Sequence, residues 1–150
     1  MKTFSRDEVE QHFRVWRRAI DVRDLDAMAQ MLTPDALGGN AQFGIHQGRD
    51  AIIQFSRDRW PESVPNRSVW HAIDGDRVVN KWRETLPGEP PDGLEDGYDY
   101  DGISEFIYAG QNQWSFMYGI PDVTGLMRVH SRWRKDGQPK IVGDVYPGLS

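Results

Sequence analysis

Three titratable side chains are candidates for contact with a bound small molecule: His46, Glu84 and Tyr100. His46 belongs to the stretch Gly38–Gly48, in which polar side chains alternate with Ala, Phe and Ile as in a half-buried strand or hairpin. The pKa of an unperturbed histidine lies near neutrality, and a helix predicted to begin at Arg49 would favour the neutral ring. We predict that His46 is a general acid–base residue; a turn histidine bonded to the backbone is the alternative.

Tyr100 and Glu84 are the other two predicted catalytic residues. Tyr100 follows an acidic, Pro- and Gly-rich loop and begins a predicted strand, so its ring could overhang the mouth of a pocket. Glu84 lies near the end of the strand before that loop and can act in catalysis only if it is buried. The alternatives are an amphipathic rim residue for Tyr100 and a solvated strand end for Glu84.

Alternation along two strands predicts the residues that bind the substrate. In the segment 78–84 the odd-numbered side chains include two cations, which belong in water, so the even-numbered face should point inward. By the same reasoning the aromatic face of the segment 114–118 points inward, and the first helix supplies the floor. A shift of one residue would invert either strand face. The predicted substrate-binding residues are Asn40, Asn80, Trp82, Phe116, Tyr118, Phe13 and Trp16.

The sequence predicts no metal and no cofactor. It contains no Cys, and its four His have none of the short spacings of a metal site. No glycine-rich loop continues into the Lys-Ser/Thr that cradles a phosphate, and no Gly-x-Ser-x-Gly elbow occurs. Among the other histidines, we expect His12 to be exposed and His71 to belong to a packed or dimer face. His130 should be a core residue or should close the cavity from above.

The elements that would position these residues change from helices to strands along the chain. Ser5 to Glu8 form a capping box before an apolar stripe, and Asp24 caps a second helix that Pro34 ends. Period-two patterns take over after residue 67. The remaining predicted elements are a helix 49–59, strands 68–73, 77–85, 100–108 and 113–119, a last helix opened by Pro121 and an irregular tail 141–150.

This order predicts an α+β fold in a single domain of residues 1–150. A curved antiparallel sheet wrapped around the N-terminal helices would form a cone whose interior suits a small molecule. The outer sheet face, with Val79, Lys81 and Arg83, has no helix left to cover it. We therefore expect a homodimer or a larger homo-oligomer.

Composition argues against several classes of partner. No apolar run is long enough for a membrane span and no signal segment begins the chain, so we expect a cytoplasmic protein that does not bind membranes. A net charge of -5 argues against a nucleic-acid partner. Arg14, Arg17 and Arg18 occur at helical spacing with acids nearby, which is typical of a solvated helix face.

Five motifs in this order resemble the SnoaL-like branch of the nuclear transport factor 2-like (NTF2-like) superfamily, over roughly residues 5 to 122. They are Asp24-Leu25-Asp26, Leu32-Thr33-Pro34-Asp35-Ala36, His46-Gln47-Gly48-Arg49-Asp50-Ala51-Ile52, Ile73-Asp74-Gly75-Asp76-Arg77-Val78-Val79 and Tyr108-Ala109-Gly110-Gln111-Asn112-Gln113-Trp114. The resemblance implies the cone-shaped fold. It implies no single activity, because the fold hosts cyclases, dehydratases, isomerases, epoxide hydrolases and non-enzymes.

Within this branch the chain is most similar to cofactor-free lyases of sphingomonad aromatic catabolism, the diarylpropane γ-formaldehyde lyases. That resemblance implies that a lignin-derived 1,2-diarylpropane-1,3-diol forms a quinone methide and then releases formaldehyde, leaving a stilbene. We place His46 and Tyr100 in proton transfer, with Asn40, Asn80 and Glu84 as hydrogen-bonding partners. The alternatives are another SnoaL-like dehydratase, isomerase or epoxide hydrolase, and a non-catalytic ligand-binding module.

Overall fold

The computed structural model describes residues 3–60, 63–91, 93 and 97–138, so the predicted tail lies outside the described residues. The helices are α1 (Arg6–Asp21), α2 (Leu25–Gln30), α3 (Arg49–Arg59) and α4 (Val123–Lys135). The strands are β1 (Leu32–Asn40), β2 (Gly44–Gln47), β3 (Asn66–Asp74), β4 (Arg77–Thr85), β5 (Asp99–Gly110) and β6 (Gln113–Pro121). Within the described part of the chain, no helix is long and apolar enough to cross a membrane.

The six strands form one curved, unclosed sheet in the order β2-β1-β6-β5-β4-β3. The predicted α+β fold of the NTF2-like cone is confirmed. The sheet is mixed rather than purely antiparallel, because β1 and β6 run parallel while every other neighbouring pair is antiparallel. The parallel pair is possible because helices and strands, not a tight turn, separate β1 from β6 along the chain.

The first helix follows the predicted apolar stripe. Ser5 caps it by accepting the backbone N–H three residues further on, at 3.1 Å. Val9, Phe13 and Trp16 are at most 1% exposed. The rings of Phe13 and Trp16 meet Phe106 edge-on, with centroids 5.7 and 5.9 Å apart. These contacts hold α1 against the concave face of the sheet.

His12 also lies on this buried side, so the prediction that it is exposed is wrong. Its side chain is 2% exposed, and its ring centroid lies 4.5 Å from that of Trp114 and 5.1 Å from that of Tyr108. Burial lowers the pKa of His12 to about 4, so the ring is neutral at pH 7. His12 follows Val9 by three residues, and this spacing turns both side chains to the same side of the helix.

The second helix is shorter than predicted. Asp24 caps it as expected, accepting the backbone N–H of Ala27 at 2.9 Å, but α2 ends at Gln30. The chain then enters β1, in which Leu32 is fully buried. Pro34 therefore lies in a strand, where the register between β1 and β6 is irregular and the missing N–H breaks no regular ladder bond.

The fourth helix closes one end of the cone. Its Leu126 and Trp133 pack with Trp82 and Tyr100 of the sheet in a second apolar cluster. The indole N–H of Trp133 donates to the carbonyl of Pro87 at 2.7 Å. This packing fixes the rings of Trp82 and Tyr100, both of which belong to the site described next.

Candidate active site

A cavity of about 190 Å³ opens on the concave face of the sheet. Most of its wall is apolar and includes Ile20, Met28, Phe43, Phe55, Trp60 and Phe106. Polar side chains line it from α1, α3, four of the strands and the turn between β1 and β2: Arg17, Asn40, Gln42, Ser56, Arg59, Asn66, Asn80, Glu84 and Ser104. A mostly apolar wall with a few convergent polar groups is typical of a small-molecule site.

Glu84 is the one acidic residue among the described residues of this wall. Its Oε1 accepts a hydrogen bond from Asn66 Nδ2 at 3.0 Å, and its Oε2 accepts one from the hydroxyl of Tyr100. Glu84 is half-buried rather than fully buried, and these two hydrogen bonds hold its carboxylate in one position at the cavity wall.

Arg17 places a positive charge behind this carboxylate. Its Nη1 donates to Asn66 Oδ1 at 2.9 Å and its Nη2 to the Asn66 carbonyl at 2.8 Å, so Asn66 bridges the guanidinium and Glu84. Burial lowers the pKa of Arg17, while the charges of Asp21 and Glu84 raise it. The prediction that Arg17 lies on a solvated helix face is wrong, because Arg17 follows Phe13 by four residues and shares its buried side.

Tyr100 reaches Glu84 from behind the cavity wall. The two residues are directly opposite in the β4–β5 ladder, and the side chain of Tyr100 is 3% exposed. The prediction that Tyr100 overhangs the mouth is wrong, because residues of α4 belong to the apolar cluster that buries its ring. Its hydroxyl instead helps to hold the carboxylate in place.

Trp82 forms an aromatic floor between the polar groups. Gly102 lies opposite Trp82 in the ladder, and a Cβ on Gly102 would lie 2.1 Å from the indole ring. The missing side chain thus lets the indole lie flat on β5. There the indole N–H donates to Ser104 Oγ at 2.8 Å, which links the floor to a hydroxyl of the wall.

Gly102→Ala should displace the Trp82 ring and destabilise the domain. The added methyl group would overlap a packed indole, and overpacking of this kind costs about 1–3 kcal/mol. Chemical denaturation measures the loss in the free energy of unfolding. In Gly119→Ala the new Cβ would meet nothing closer than 3.4 Å, so this control should change the free energy of unfolding by less than about 0.5 kcal/mol. Equal stability of the two variants would refute the assignment of Gly102.

The strand face predicted for segment 78–84 is confirmed, because Asn80, Trp82 and Glu84 all line the cavity. Asn80 is 1% exposed. In one orientation of its amide, Nδ2 donates to the carbonyl of Trp70 at 3.1 Å and to the carbonyl of Lys81 at 3.2 Å. We adopt this orientation, because the reverse one would direct the amide oxygen at two carbonyl oxygens. Whether these side chains bind a substrate stays a prediction.

Asn40 also lines the cavity, at the end of β1. Its Oδ1 accepts the backbone N–H groups of Gln42 and Phe43, at 3.0 and 2.9 Å. These bonds form the tip of the β1–β2 hairpin, which the alternation in the glycine-rich stretch had indicated. The hairpin thus brings Asn40 to the wall that carries Phe43.

His46 does not line the cavity. It lies in β2, which pairs with β1 at the edge of the sheet, and its ring stacks on Phe55 with centroids 4.4 Å apart. Phe55 lines the cavity and separates His46 from its contents. His46 Nε2 is buried and has no hydrogen-bond partner among the described residues. This placement contradicts the prediction that His46 contacts the ligand.

The aromatic face of β6 points away from the cavity, contrary to the prediction for Phe116 and Tyr118. The register of β5 with β6 shifts directly after Trp114, which is fully buried. Such a β-bulge turns the strand over, so the face that follows Trp114 is reversed. Met117 and Gly119 line the cavity instead.

The remaining candidates lie outside the cavity wall. Phe13 and Trp16 belong to the core rather than to a cavity floor. Of the packed and dimer faces predicted for His71, the structure shows the packed one. Its Nε2 lies 2.9 and 3.1 Å from the two carboxylate oxygens of Glu10. His130 stacks on a tryptophan of α4, and burial lowers its pKa. No three His, Cys, Asp or Glu of the described residues cluster as metal ligands would.

Six polar residues of the cavity wall were absent from the predicted site: Arg17, Gln42, Ser56, Arg59, Asn66 and Ser104. Ser104 had a signal, because it shares the period-two face of Tyr100 and Phe106. Arg17 had one in its spacing from Phe13. Asn66 had none, because its contacts with Arg17 and Glu84 join residues that are distant in sequence.

The model of the SnoaL-like domain family matches residues 9–112, so the chain belongs to the SnoaL-like family of the NTF2-like superfamily. No curated protein sequence matches the chain significantly.

Solved structures share this fold at low sequence identity. A candidate SnoaL-like polyketide cyclase from Jannaschia sp. CCS1 is 19% identical, with a TM-score of 0.65 over 86% of this chain and 96% of that chain. An LEH-like epoxide hydrolase from M. tuberculosis is 15% identical, with a TM-score of 0.64 over 82% and 89%. A candidate ketosteroid isomerase from Kribbella flavida DSM 17836 is 15% identical, with a TM-score of 0.63 over 77% and 78%. Such identities establish a common fold and not a common reaction.

Proposed function

We propose that this protein is a cofactor-independent acid–base enzyme, a carbon–carbon lyase that acts on a hydrophobic aromatic substrate. The observation that carries the proposal is Glu84: a carboxylate at the wall of an apolar cavity, held by Asn66 and Tyr100 with Arg17 behind it. A titratable group fixed by such partners is typical of a catalytic site, whereas a binding module needs only fixed polarity.

The proposed substrate is a lignin-derived 1,2-diarylpropane-1,3-diol with a para-hydroxyphenyl ring on the carbinol carbon. First the phenol loses its proton and the benzylic hydroxyl leaves with a proton as water, which gives a quinone methide. The terminal hydroxyl then loses its proton, and the bond to the terminal carbon breaks. The electron pair of that bond restores the phenolate, which takes up the proton. The products are a stilbene, formaldehyde and water, with no net change in protons.

Glu84 would accept the proton of the phenol at the near end of the substrate and return a proton to the phenolate at the end of the reaction. Tyr100 and Asn66 would fix the direction of the carboxylate, and the apolar wall would exclude the water that could trap the quinone methide. Trp82 would support the aromatic rings. In this assignment Tyr100 is a positioning residue, because its hydroxyl faces Glu84 rather than the cavity.

Incubation of the purified protein with a panel of lignin-type dimers, an epoxide and a ketosteroid tests the proposal. We expect diarylpropanediols to give stilbene, followed by its absorbance, and formaldehyde in equimolar amounts. EDTA should not change the rate of this reaction. Turnover that stops with EDTA and returns with an added metal would contradict the cofactor-free assignment. Turnover of an epoxide or a ketosteroid, with none of any diarylpropanediol, would replace the lyase by one of the other reactions of this fold.

The alternative of an epoxide hydrolase would need an Asp-Arg-Asp arrangement. In the described part of the cavity wall, Arg17 and Glu84 are bridged by Asn66 and no Asp takes part. This chemistry favours a single carboxylate base over a pair of acids that would activate water and open an epoxide. The homodimer and the cytoplasmic location stay predictions.

A further inference from the structure

At the end of the cavity formed by β1, β5 and β6, the absence of a side chain on Gly119 leaves a small space. A Cβ on Gly119 would be 3.4 Å from Ser104 Oγ and 3.6 Å from Asn40 Cβ, so the missing methyl leaves space between the two polar side chains. All three residues line the cavity. We call this space the Gly119 niche.

Both polar side chains of the niche have a hydrogen-bond donor to offer. Ser104 Oγ accepts the indole N–H of Trp82 at 2.8 Å, and it donates to no atom of the residues that the structure describes. Asn40 Oδ1 accepts two backbone N–H groups of the hairpin tip, and Asn40 Nδ2 has no partner within the described ranges. A hydroxyl donor beside an empty space, with an amide donor on the neighbouring side chain, suits an oxygen with free lone pairs, such as a phenol, a carbonyl or an aryl ether.

The niche lies far from Glu84. Ser104 is opposite Asn80 in the β4–β5 ladder and Tyr100 is opposite Glu84, so the two polar positions are four residues apart along each strand. Four residues of an extended strand span about 13 Å. The Trp82 indole, lying on Gly102, fills the interval. The cavity therefore has a polar group at each end and an aromatic floor between them.

We propose that the Gly119 niche binds an oxygen on the far ring of a two-ring ligand whose near end is bound at Glu84. This inference deepens the proposed function, because it defines the substrate class of the same cavity as diaryl compounds with an oxygen substituent at both ends. The rigid probe 4,4′-dihydroxystilbene has this form, since two rings and a two-carbon bridge separate its hydroxyl groups. The matched probe 4-hydroxystilbene lacks one of the two oxygens.

Isothermal titration calorimetry with both probes tests the niche. The wild-type protein should bind 4,4′-dihydroxystilbene about 5- to 10-fold more tightly than 4-hydroxystilbene, the effect of about one hydrogen bond. Ser104→Ala removes a donor and Gly119→Ala fills the space, so in both variants the ratio of the two Kd values should fall below about 2. Ser115→Ala is the control, because the Ser115 hydroxyl donates to the carbonyl of Ile107 and does not line the cavity. It should keep the wild-type ratio.

The niche is refuted if neither stilbene binds, if the wild-type ratio is near one, or if both niche variants keep the wild-type ratio. Gly119→Ala carries the test if Ser104→Ala does not fold, and melting curves identify a misfolded variant. The result is separable from the lyase assay. A wild-type ratio of Kd values of about 5 to 10 without any turnover would support the niche and refute the proposed reaction. Turnover with a ratio near one would support the reaction and refute the niche.

Discussion

Glu84→Gln should lower kcat for stilbene formation by ~10²–10⁴-fold, the usual effect of removing a general acid–base group. The amide has the shape of the carboxylate and still offers one oxygen to Tyr100 or Asn66, so Tm should change little. Only the ability to take up a proton is lost. The measurement is a comparison of kcat at saturating substrate with a thermal melt of each variant.

Glu105→Gln is the matched control for this substitution. Glu105 does not line the cavity and pairs with Arg77 at 2.6 Å, with 37% of its side chain exposed. Its neutralisation should leave kcat unchanged, because a surface ion pair contributes little to stability and this one does not touch the cavity. A Glu84→Gln enzyme as active as the Glu105→Gln enzyme would remove Glu84 from the chemistry.

Arg17→Met should destabilise the domain by roughly 3 kcal/mol, because it removes two charge-assisted hydrogen bonds to Asn66 and a charge behind Glu84. For a chain of this length the loss corresponds to a fall in Tm of about 6–12 °C. The Arg17 side chain is only 11% exposed, so water cannot replace the lost bonds. Thermal melts at pH 7 provide the measurement.

Arg18→Met tests whether the effect belongs to the site rather than to the helix. Arg18 is the next residue of α1 and is exposed, so its loss should change the free energy of unfolding by less than about 0.5 kcal/mol. Equal melting temperatures for the two variants would show that Arg17 is solvated. They would also show that the bridge through Asn66 is not formed.

Local periodicity predicted the parts of this fold in which one face is buried without interruption. The stripe of α1 and the inward face of β4 follow their sequence patterns because nothing shifts the period within them. On β6 the same reasoning inverted Phe116 and Tyr118, since one bulge exchanges the two faces and leaves no mark in the alternation that follows. The early end of α2 was missed because Leu32 continues the helical pattern although it lies in a strand.

The candidate site was less predictable than the fold because contacts distant in sequence build it. Glu84 and Tyr100 were both proposed from the sequence, but their hydrogen bond depends on the register of β4 with β5. His46 was favoured because its residue type and glycine-rich surroundings suit catalysis. The packing of α3 decided otherwise, by placing Phe55 between the imidazole and the cavity.

The rate of stilbene formation by the Glu84→Gln and His46→Gln enzymes, measured side by side in single-turnover reactions, tests most sharply which residue transfers the protons. Both substitutions replace a group that can exchange a proton by an amide that cannot. With Glu84 at the cavity wall and His46 behind Phe55, the Glu84 variant should lose the reaction while the His46 variant keeps a rate close to wild type. A dead His46→Gln enzyme beside an active Glu84→Gln enzyme would contradict the assignment of the proton transfers to Glu84.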